Sequence, residues 1–371
     1  MPIADLLRLA LSHRASDVMI APAETPRMRV DGKIVPIPGL PVFTAEMSKA
    51  DALEPLTPQQ IKRFEEKLSL DCGFEVAGLG RFRVNVFSQA HGVSIVLRPI
   101  SSKVPTIEEI ALEPSIVKLT ELPRGLVLVT GQTGSGKTTT LAAMLDHINQ
   151  TSQKHVITIE DPIEHVHKNQ RSLIQQREVG VNVGSFSEGL YSAMRENPDV
   201  ILIGELRDLE TMELALRAAE TGHLCLATLH TLDAASTATR IIMEFPPEQQ
   251  ERVRIQLTNL LSAVVCQTLL PQLGGGRVCA REIMLMTPAI GSLIRDNKLF
   301  HINDTIEAGS KDGMLSIDRA LAQLLVAGKI DYPTAIGWLR SKKTFNDTLA
   351  GLGYNPDYFQ TKQAGMYQAP A

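Results

Sequence analysis

The segment GQTGSGKT, residues 131 to 138, constrains the fold of this chain more than any other part of its sequence. It matches the pattern G-x-x-x-x-G-K-[ST] and lies between an apolar run, GLVLVT, and a run in which Leu141, Met144 and Leu145 share one helical face. A strand, a glycine-rich loop and a helix in this order form a phosphate-binding loop. The sequence therefore predicts an α/β protein that binds a nucleotide.

The residues of this loop have separable roles in holding a nucleotide. Its glycines allow backbone N–H groups to turn towards the β-phosphate, Lys137 brings positive charge to the β and γ oxygens, and the Thr138 hydroxyl is a ligand for Mg²⁺ at a helix N-terminus. A glycine-rich connection without a ligand is the alternative interpretation. The predicted nucleotide contacts in the loop are Gly131, Gln132, Thr133, Gly134, Ser135, Gly136, Lys137, Thr138 and Thr139.

Short apolar runs alternate with helical periods in the part of the chain around this loop. The runs are GLVLVT, HVITIE, DVILIG and HLCLATLH. Strands that are apolar on both faces are typical of a parallel sheet covered by helices on both sides. We therefore predict a mostly parallel sheet, followed after residue 280 by a mainly helical region in which Thr287 and Ser316 begin helices.

The first hundred residues have a different character, with short elements separated by prolines. RMRVDGKIV predicts a hairpin with an Asp-Gly turn, and a capping box at Thr57 predicts a helix over 58–68. RFRVNVFS alternates with period two and pairs with VSIVLR across a QAHG turn. These elements indicate a small α+β domain.

The length of the chain indicates more than one domain, because 371 residues exceed what a single hydrophobic core usually serves. The polar, proline-containing segment PISSKVPT has the composition of a linker. We predict a small domain over 1–98, a linker over 99–106, a large domain over 107–358 and a disordered tail over 359–371.

Charge and cysteine content exclude several classes of protein. The chain has 37 basic and 41 acidic residues and a formal net charge of −4, so no specific nucleic-acid partner is expected. Its four cysteines match neither a paired CxxC metal site nor a dense disulfide framework, and we expect reduced, buried thiols. No segment reads as a signal peptide or a membrane span, so we expect a cytoplasmic protein.

Acidic residues follow two of the predicted strands. TIEDPIEH places Glu160, Asp161 and Glu164 at one strand end, and NPDVILIGELRD places Glu205 directly after another. The carboxyl ends of parallel strands gather ligands at one edge of a sheet. We predict magnesium contacts from Glu160, Asp161 and Glu205 in addition to Thr138, with solvated loop charges as the alternative for the first two.

A histidine and two arginines complete the candidate site. His230 ends the run HLCLATLH, where a satisfied structural histidine is the alternative to a sensor of the nucleotide. Arg83 and Arg98 lie on the outward face of the predicted hairpin, and one register sets them side by side. Because neighbouring like charges destabilise a sheet, an anion from elsewhere would relieve the cost; a solvated basic face is the alternative.

Four motifs occur in a fixed order along the chain: GQTGSGKTTTLAAMLDHIN, TIEDPIE, RENPDVILIGELRDLET and LRAAETGHLCLATLHT. They resemble the Walker A motif, Asp box, Walker B motif and His box of the type II/type IV secretion ATPase superfamily. Over nearly its whole length the sequence is similar to the PilT-like retraction ATPases of type IV pili. It lacks the long extra N-terminal domain and the tetracysteine insert typical of the assembly and secretion branches, which favours the retraction branch.

The resemblance implies a PAS-like N-terminal domain, a RecA-like P-loop ATPase domain with a helical C-terminal part, and a homohexameric ring that binds ATP and Mg²⁺ between domains at subunit boundaries. It makes Glu164 the general base, Glu205 the support for magnesium and His230 the sensor of the γ-phosphate. Lys137 completes the predicted catalytic set. The two hairpin arginines are expected to reach the nucleotide, and Arg81 is a weaker candidate.

The resemblance also implies a function and partners. The expected function is ATP hydrolysis that drives pilus retraction and twitching motility, at the cytoplasmic face of the inner membrane, with a membrane platform protein and a paralogous retraction ATPase as partners. The family segment AIRNLIRE reads AIGSLIRD at 289–296, with Gly291 and Ser292 replacing the Arg-Asn pair, a departure that bears on coupling to retraction. Two alternatives stay open: an accessory ring subunit acting mainly as a nucleotide-binding adaptor, and a related secretion or DNA-uptake motor.

Overall fold

The structure, a computed structural model, describes residues 3–30, 32–100 and 103–355. These residues form two compact units. The first unit runs to residue 104 and also includes 159–168 and 176–185, and the second contains the rest. The division at residue 104 falls inside the predicted linker. The prediction gave the first unit one continuous segment, whereas the structure adds two later segments to it. The predicted tail at 359–371 lies outside the described residues, so it stays a prediction.

The first unit is built around a six-stranded sheet with the order β3-β2-β1-β6-β5-β4, in which every neighbouring pair is antiparallel. Its strands are β1 (Asp17–Ile20), β2 (Arg27–Val30), β3 (Lys33–Pro36), β4 (Ser69–Val76), β5 (Gly80–Gln89) and β6 (Gly92–Pro99). Its helices are α1 (Ile3–Ser12), α2 (Ala45–Leu53) and α3 (Pro58–Lys67).

The local sequence patterns explain these elements. Both hairpins predicted from turn residues and alternation are present, β2–β3 and β5–β6. The predicted capping box begins α3, where Thr57 and Gln60 each bind the backbone N–H of the other. Along β5, Phe82 and Val84 are buried in the core of the unit, while the alternating arginines are partly exposed.

The second unit contains most of a seven-stranded sheet with the order β13-β12-β7-β11-β10-β8-β9. Its strands are β7 (Gly125–Thr130), β8 (His155–Glu160), β9 (Leu173–Glu178), β10 (Val200–Ile203), β11 (Leu224–Leu229), β12 (Leu261–Pro271) and β13 (Arg277–Leu285). The pairs β10–β11, β11–β7 and β12–β7 are parallel, and β12–β13 is antiparallel. Every residue of β7, β10 and β11 is buried, as expected for strands covered on both faces.

Helices cover this sheet and form the C-terminal region. They are α4 (Pro114–Leu119), α5 (Lys137–Thr151), α6 (Phe186–Ala193), α7 (Leu209–Glu220), α8 (Ala234–Glu244), α9 (Gln250–Leu260), α10 (Pro288–Arg295), α11 (Ile302–Ala308), α12 (Ile317–Val326), α13 (Tyr332–Ile336) and α14 (Lys342–Gly351). Short 3-10 turns lie at Pro247–Gln249, Leu299–His301 and Gly309–Asp312. Thr287 and Ser316 cap α10 and α12 as predicted. Across the described residues, no helix combines the length and apolar character that crossing a bilayer needs.

The strand register brings three chain segments to the same edge of the sheet. Thr130, the last residue of β7, lies beside Leu229 at the end of β11 and beside Cys266 in β12. Ile203, the last residue of β10, lies beside Ala227. The loops that follow β7, β10 and β11 therefore leave the sheet side by side, at the carboxyl edge where α/β proteins bind ligands.

Candidate nucleotide-binding and catalytic site

The phosphate-binding loop, residues 131–136, connects β7 to α5 in a conformation that requires glycine at its first position. Gly131 has a φ of 139°, and a Cβ built there would lie 2.3 Å from the carbonyl oxygen of Gln267. The Gln267 side chain supports the loop from β12, because its Nε2 donates a hydrogen bond to the Ser135 carbonyl at 2.8 Å. The loop is thus packed directly on a neighbouring strand.

Helix α5 begins immediately after this loop and presents its N-terminus to it. Gly136, at the N-cap, has a φ of 90° and offers no side-chain cap to the first turn. Those backbone N–H groups are available to an anion, together with the partial positive charge of the helix end. Thr138 and Thr139 are half-buried in this first turn, and Gln132, Thr133 and Gly134 are exposed.

Lys137 lies over the mouth of the loop. Its Nζ donates hydrogen bonds to the carbonyl oxygens of Gly131, at 2.9 Å, and Gln132, at 3.2 Å. The same atom is 3.4 Å from Nδ1 of His230. The ammonium group is therefore held against the backbone of the loop, in contact with the histidine that directly follows β11.

His230 links this lysine to Glu205. Its Nε2 is 3.0 Å from Oε1 of Glu205, and the other carboxylate oxygen accepts a hydrogen bond from Nε of Arg207 at 2.8 Å. An ammonium has donors and no acceptor, so Nδ1 must accept from Lys137. A neutral imidazole then carries its proton on Nε2 and donates it to Glu205. The side chains form one chain of polar contacts across three strand ends.

The Asp box, TIEDPIE, contributes its acidic residues to the first unit. Glu160 is buried, and its Oε1 accepts a hydrogen bond from Nε2 of Gln176 at 3.0 Å. Asp161 is half-buried. Glu164 is also partly exposed, and its Oε1 lies 3.5 Å from Nη1 of Arg83. These three residues all belong to the segment 159–168.

The two hairpin arginines of the first unit lie opposite one another, as predicted, since Arg83 pairs with Arg98 in the β5–β6 register. Each arginine, however, has a carboxylate partner within the first unit that offsets this repulsion. Arg83 binds Asp71, with Nη2 2.6 Å from Oδ2, and Arg98 binds the buried Asp17, with Nη2 2.8 Å from Oδ1. The hydrogen bond to Asp71, and more weakly the nearby acidic residues, raise the pKa of the Arg83 guanidinium. The predicted foreign anion is therefore not needed to balance these charges.

The structure thus places the predicted site residues in two groups. Lys137, Thr138, Glu205 and His230 belong to the second unit, with the phosphate-binding loop. The Asp-box acids and both hairpin arginines belong to the first unit. Among the described residues no cluster of three or more acidic, histidine or cysteine side chains forms a ready-made cation site. Thr138 and Glu205 carry oxygen atoms of the kind that Mg²⁺ takes as ligands, and Mg²⁺ usually has only one or two protein ligands besides phosphate oxygens and water.

Two residues of the site were not identified from the sequence. Gln267 supports the loop from 132 positions away, and it lies within a strand that reads as an ordinary apolar run. Arg207 binds Glu205, and its guanidinium carbon lies 5.6 Å from the ring centre of Phe186. The short spacing of Glu205 and Arg207 in GELRD could have indicated this pair, whereas nothing local identifies Gln267.

Comparison with known proteins decides the family. The sequence pattern of the family described as "Type II/IV secretion system protein" matches residues 2–288. The chain belongs to this family. It is 47% identical to "Type IV pilus retractation ATPase PilT" of Pseudomonas aeruginosa, over 90% of this chain and 97% of the relative. It is also 40% identical to "Type IV pilus ATPase PilU" of the same organism, over 91% of this chain and 88% of the relative.

A solved structure extends the likeness to the fold. The crystal structure of the pilus retraction motor PilT with bound ADP superposes with a TM-score of 0.86 and 40% identity, covering 92% of this chain and 98% of that one. The predicted type II/IV secretion ATPase family and PilT-like branch are confirmed. The predicted fold class, an N-terminal domain followed by a RecA-like domain with a mostly parallel sheet and a helical C-terminal part, is confirmed as well. An ATPase of this type II/IV secretion family binds a nucleotide.

Proposed function

We propose that this protein is a motor that hydrolyses ATP to drive the retraction of a type IV pilus. It is a P-loop ATPase. The observation that carries the proposal is the chain of contacts Lys137–His230–Glu205 at the mouth of the phosphate-binding loop. A catalytic lysine, a histidine and an acidic residue meet at the carboxyl edge of the sheet, in a chain whose relatives are named for pilus retraction and twitching motility.

In this proposal the loop residues 131–139 hold the phosphates and Lys137 neutralises the charge that develops on the γ-phosphoryl group. Glu164 accepts a proton from the attacking water. The two hairpin arginines, Arg83 and Arg98, exchange their present carboxylate partners for the nucleotide. Mg²⁺, when bound, supplies charge to the β and γ oxygens, with Thr138 and Glu205 as its protein-side contacts and Glu160 and Asp161 as further candidates.

His230 reports the state of the γ-phosphate in this proposal. Its imidazole already contacts both Lys137 and Glu205, so a change in the position of the lysine changes the donor on one side of the ring. The second ring nitrogen, which contacts Glu205, transmits that change to the carboxylate. The contact with Lys137 supports this role over that of a satisfied structural histidine.

The proposed assembly is a homohexamer in which each chain contributes a small domain, 1–98, a linker, 99–106, and an ATPase domain, 107–358. The ring works at the cytoplasmic face of the inner membrane, on a platform protein of the pilus machine. The similarity to both PilT and PilU of Pseudomonas aeruginosa supports a paralogous retraction ATPase as a further partner. ATP and Mg²⁺ are the proposed cofactors.

The first experiment is ATP hydrolysis by the purified protein, with the assembly state recorded in the same samples. We expect Lys137→Ala to reduce turnover by at least 100-fold, because a phosphoryl-transfer site loses its main positive charge. Glu164→Ala should reduce turnover to a similar extent. Arg8→Ala is the control, since Arg8 makes an exposed ion pair with Asp5. Unchanged turnover in Lys137→Ala would overturn the site assignment.

The packing of Gly291 in α10 bears on the alternative function, an accessory ring subunit that acts mainly as a nucleotide-binding adaptor. Gly291 in α10 lies close to α9, and a Cβ there would be 2.9 Å from Cγ2 of Thr258, so this helix packs without room for the family's arginine. If hydrolysis is normal but a strain carrying this gene in place of its own retraction ATPase fails to retract pili, the accessory role is favoured. Nucleotide binding without turnover would favour it as well.

A further inference from the structure

Glu178, the last residue of β9, joins three segments of the first unit through one buried carboxylate. Its side chain is 3% exposed. Its Oε1 accepts a hydrogen bond from the backbone N–H of Gly73 in β4 at 3.0 Å. Its Oε2 accepts from the backbone N–H of Ile163 at 3.2 Å and from the guanidinium of Arg81 in β5. A single side chain thus connects the β4–β5 hairpin to the Asp box.

The packing around this carboxylate leaves no spare room. A Cβ on Gly73 would lie 2.4 Å from Nη2 of Arg81 and 2.9 Å from Oε2 of Glu178. A methyl group at this position would displace the head of Arg81, which lies directly against the backbone of β4. Below we call Gly73, Arg81 and Glu178 the hairpin clamp.

The position held by the clamp is next to the proposed general base. Ile163, whose N–H is fixed by Glu178, directly precedes Glu164. The Glu164 carboxylate lies 3.5 Å from Nη1 of Arg83, which is on the same strand as Arg81. The hairpin therefore fixes both the backbone beside Glu164 and the charge beside its carboxylate.

We propose that Arg81 and Glu178 are positioning residues for Glu164: the hairpin clamp holds the Asp box on the N-terminal unit, so that the base is placed by this unit. The inference rests on the proposed function, since it takes Glu164 as the base. It gives Arg81, a weak candidate for a nucleotide contact, a different role. Arg81 has no direct contact with the nucleotide in this scheme.

The physical reason lies in the charge balance of the buried carboxylate. Two backbone N–H groups and one guanidinium stabilise the Glu178 anion. Without the guanidinium, the buried Glu178 carboxylate has only two neutral hydrogen-bond donors. Its free energy is then lowered more by movement towards water. Its hydrogen bond to Ile163 then weakens and Glu164 loses its fixed position. Displacement of a catalytic group by about 1 Å costs on the order of 100-fold in rate.

The test is steady-state ATP hydrolysis by the full-length protein, with kcat and KM measured separately. We expect Arg81→Met and Gly73→Ala to reduce kcat by about 10- to 100-fold, with KM for ATP and the affinity for ADP within about twofold of wild type. Arg81→Lys, which keeps the charge, should restore part of the loss. Arg27→Met removes an exposed ion pair of the same unit, and Gly351→Ala adds a methyl group in open space, so both should behave as wild type.

A second comparison separates positioning from simple loss of stability. In a Glu164→Gln background, Arg81→Met should cause no further loss of the residual single-turnover rate, because there is no base left to misplace. A KM for ATP raised by tenfold or more would make Arg81 a nucleotide contact and overturn the proposal. An equal additional loss in the Glu164→Gln background would also overturn it. Full activity of Glu164→Gln alone would instead show that the proposed base is wrong, which is a failure of the proposed function.

Discussion

At the scale of single residues, the phosphate-binding loop depends on the absence of one carbon atom. Gly131 combines a left-handed φ with a contact that leaves no space for Cβ. A non-glycine residue at positive φ costs about 1–2 kcal/mol, and overpacking adds about 1–3 kcal/mol. We expect Gly131→Ala to lower the free energy of unfolding by at least 2 kcal/mol and to abolish ATP binding.

Gly222→Ala provides the matched control, since Gly222 also has a positive φ but nothing within 4 Å of the added atom. It should cost only the conformational part, about 1–2 kcal/mol, and leave ATP affinity unchanged. Chemical denaturation and nucleotide titration of both variants measure the difference. Equal effects of the two substitutions would show that the contact with Gln267 does not matter.

Residue chemistry was predictable where a short motif encodes it. The motif indicates Lys137 and its neighbours because strand, loop and helix are local in sequence. The meeting of Lys137 with His230 follows from the register of β7 beside β11, which alternation and apolar runs do not specify. Gln267 was missed for the same reason: its role comes from the neighbouring strand and not from its own surroundings in the sequence.

At the scale of elements, the Asp-box segment contains two histidines that are partly buried. Nδ1 of His165 and Nδ1 of His167 have no hydrogen-bond partner among the described residues. Burial, and to a smaller extent the neighbouring His165, lower the pKa of His167 to about 4. Burial also lowers the pKa of His165. Both rings are therefore neutral in the folded protein near pH 7.

This lowered pKa predicts a loss of stability in acid. The folded-state pKa of His167 lies below its unfolded value of 6.5, so the unfolded chain binds the proton first as the pH falls. The contribution of the neutral His167 ring to the free energy of unfolding is complete above pH 6.5, declines as the pH falls and is lost by about pH 4. At pH 4.5 the free energy of unfolding should be lower by on the order of 2 kcal/mol.

Comparison of the unfolding midpoint at pH 7.5 and pH 4.5 tests this. His167→Gln should remove part of the acid sensitivity, because the amide does not titrate. His91→Gln, in the exposed turn between β5 and β6, should leave it as in wild type. An acid sensitivity identical in His167→Gln and wild type would contradict the assignment.

Elements were predictable where capping and periodicity agree, and less so where a distant residue intervenes. Thr106 and Glu109 each bind the backbone N–H of the other, the pattern of a capping box, but residues 107–111 form a turn and not a helix. The reason is Arg281 of β13. Its guanidinium donates hydrogen bonds to the carbonyl oxygens of Ile110 and Ala111, at 3.1 and 3.2 Å. A helix would need those carbonyls for its own next turn.

At the scale of the whole molecule, a buried ion pair connects the catalytic edge of the second unit to its C-terminal helices. Glu282 of β13 accepts a hydrogen bond from the N–H of Ala234, at the start of α8, and binds the guanidinium of Arg340. Arg340 also donates to the carbonyl of Leu232, and its own N–H binds Asp318 of α12. Burial raises the pKa of Glu282, and Arg340 acts against that rise.

Removal of one partner should be costly, because it leaves a buried carboxylate without its cation. We expect Arg340→Met to lower the free energy of unfolding by about 3 kcal/mol, measured by denaturant titration. Arg240→Met removes an exposed pair with Glu244 and should cost less than about 0.5 kcal/mol. A loss of the same small size in both variants would mean that the buried pair is not an anchor for this region.

The division of the molecule was predictable in outline only. The length of the chain indicates more than one domain and the polar, proline-containing segment 99–106 predicts a linker; the two compact units divide within it, after residue 104. The assignment of 159–168 and 176–185 to the first unit was not predictable. One long-range contact of these segments is the hydrogen bond of Glu178 to the hairpin backbone at Gly73, 105 positions earlier, and no local pattern indicates it.

The discontinuous first unit has a consequence for how the chain is made. A ribosome that has delivered residues 1–104 has supplied the six-stranded sheet but not Glu178 or the Asp box, which belong to the same unit. The carboxylate that closes the hairpin clamp arrives only after the phosphate-binding loop has been synthesised. The first unit therefore cannot be completed before the second unit is synthesised. A fragment that ends at the linker would contain Arg81 without its buried partner, Glu178.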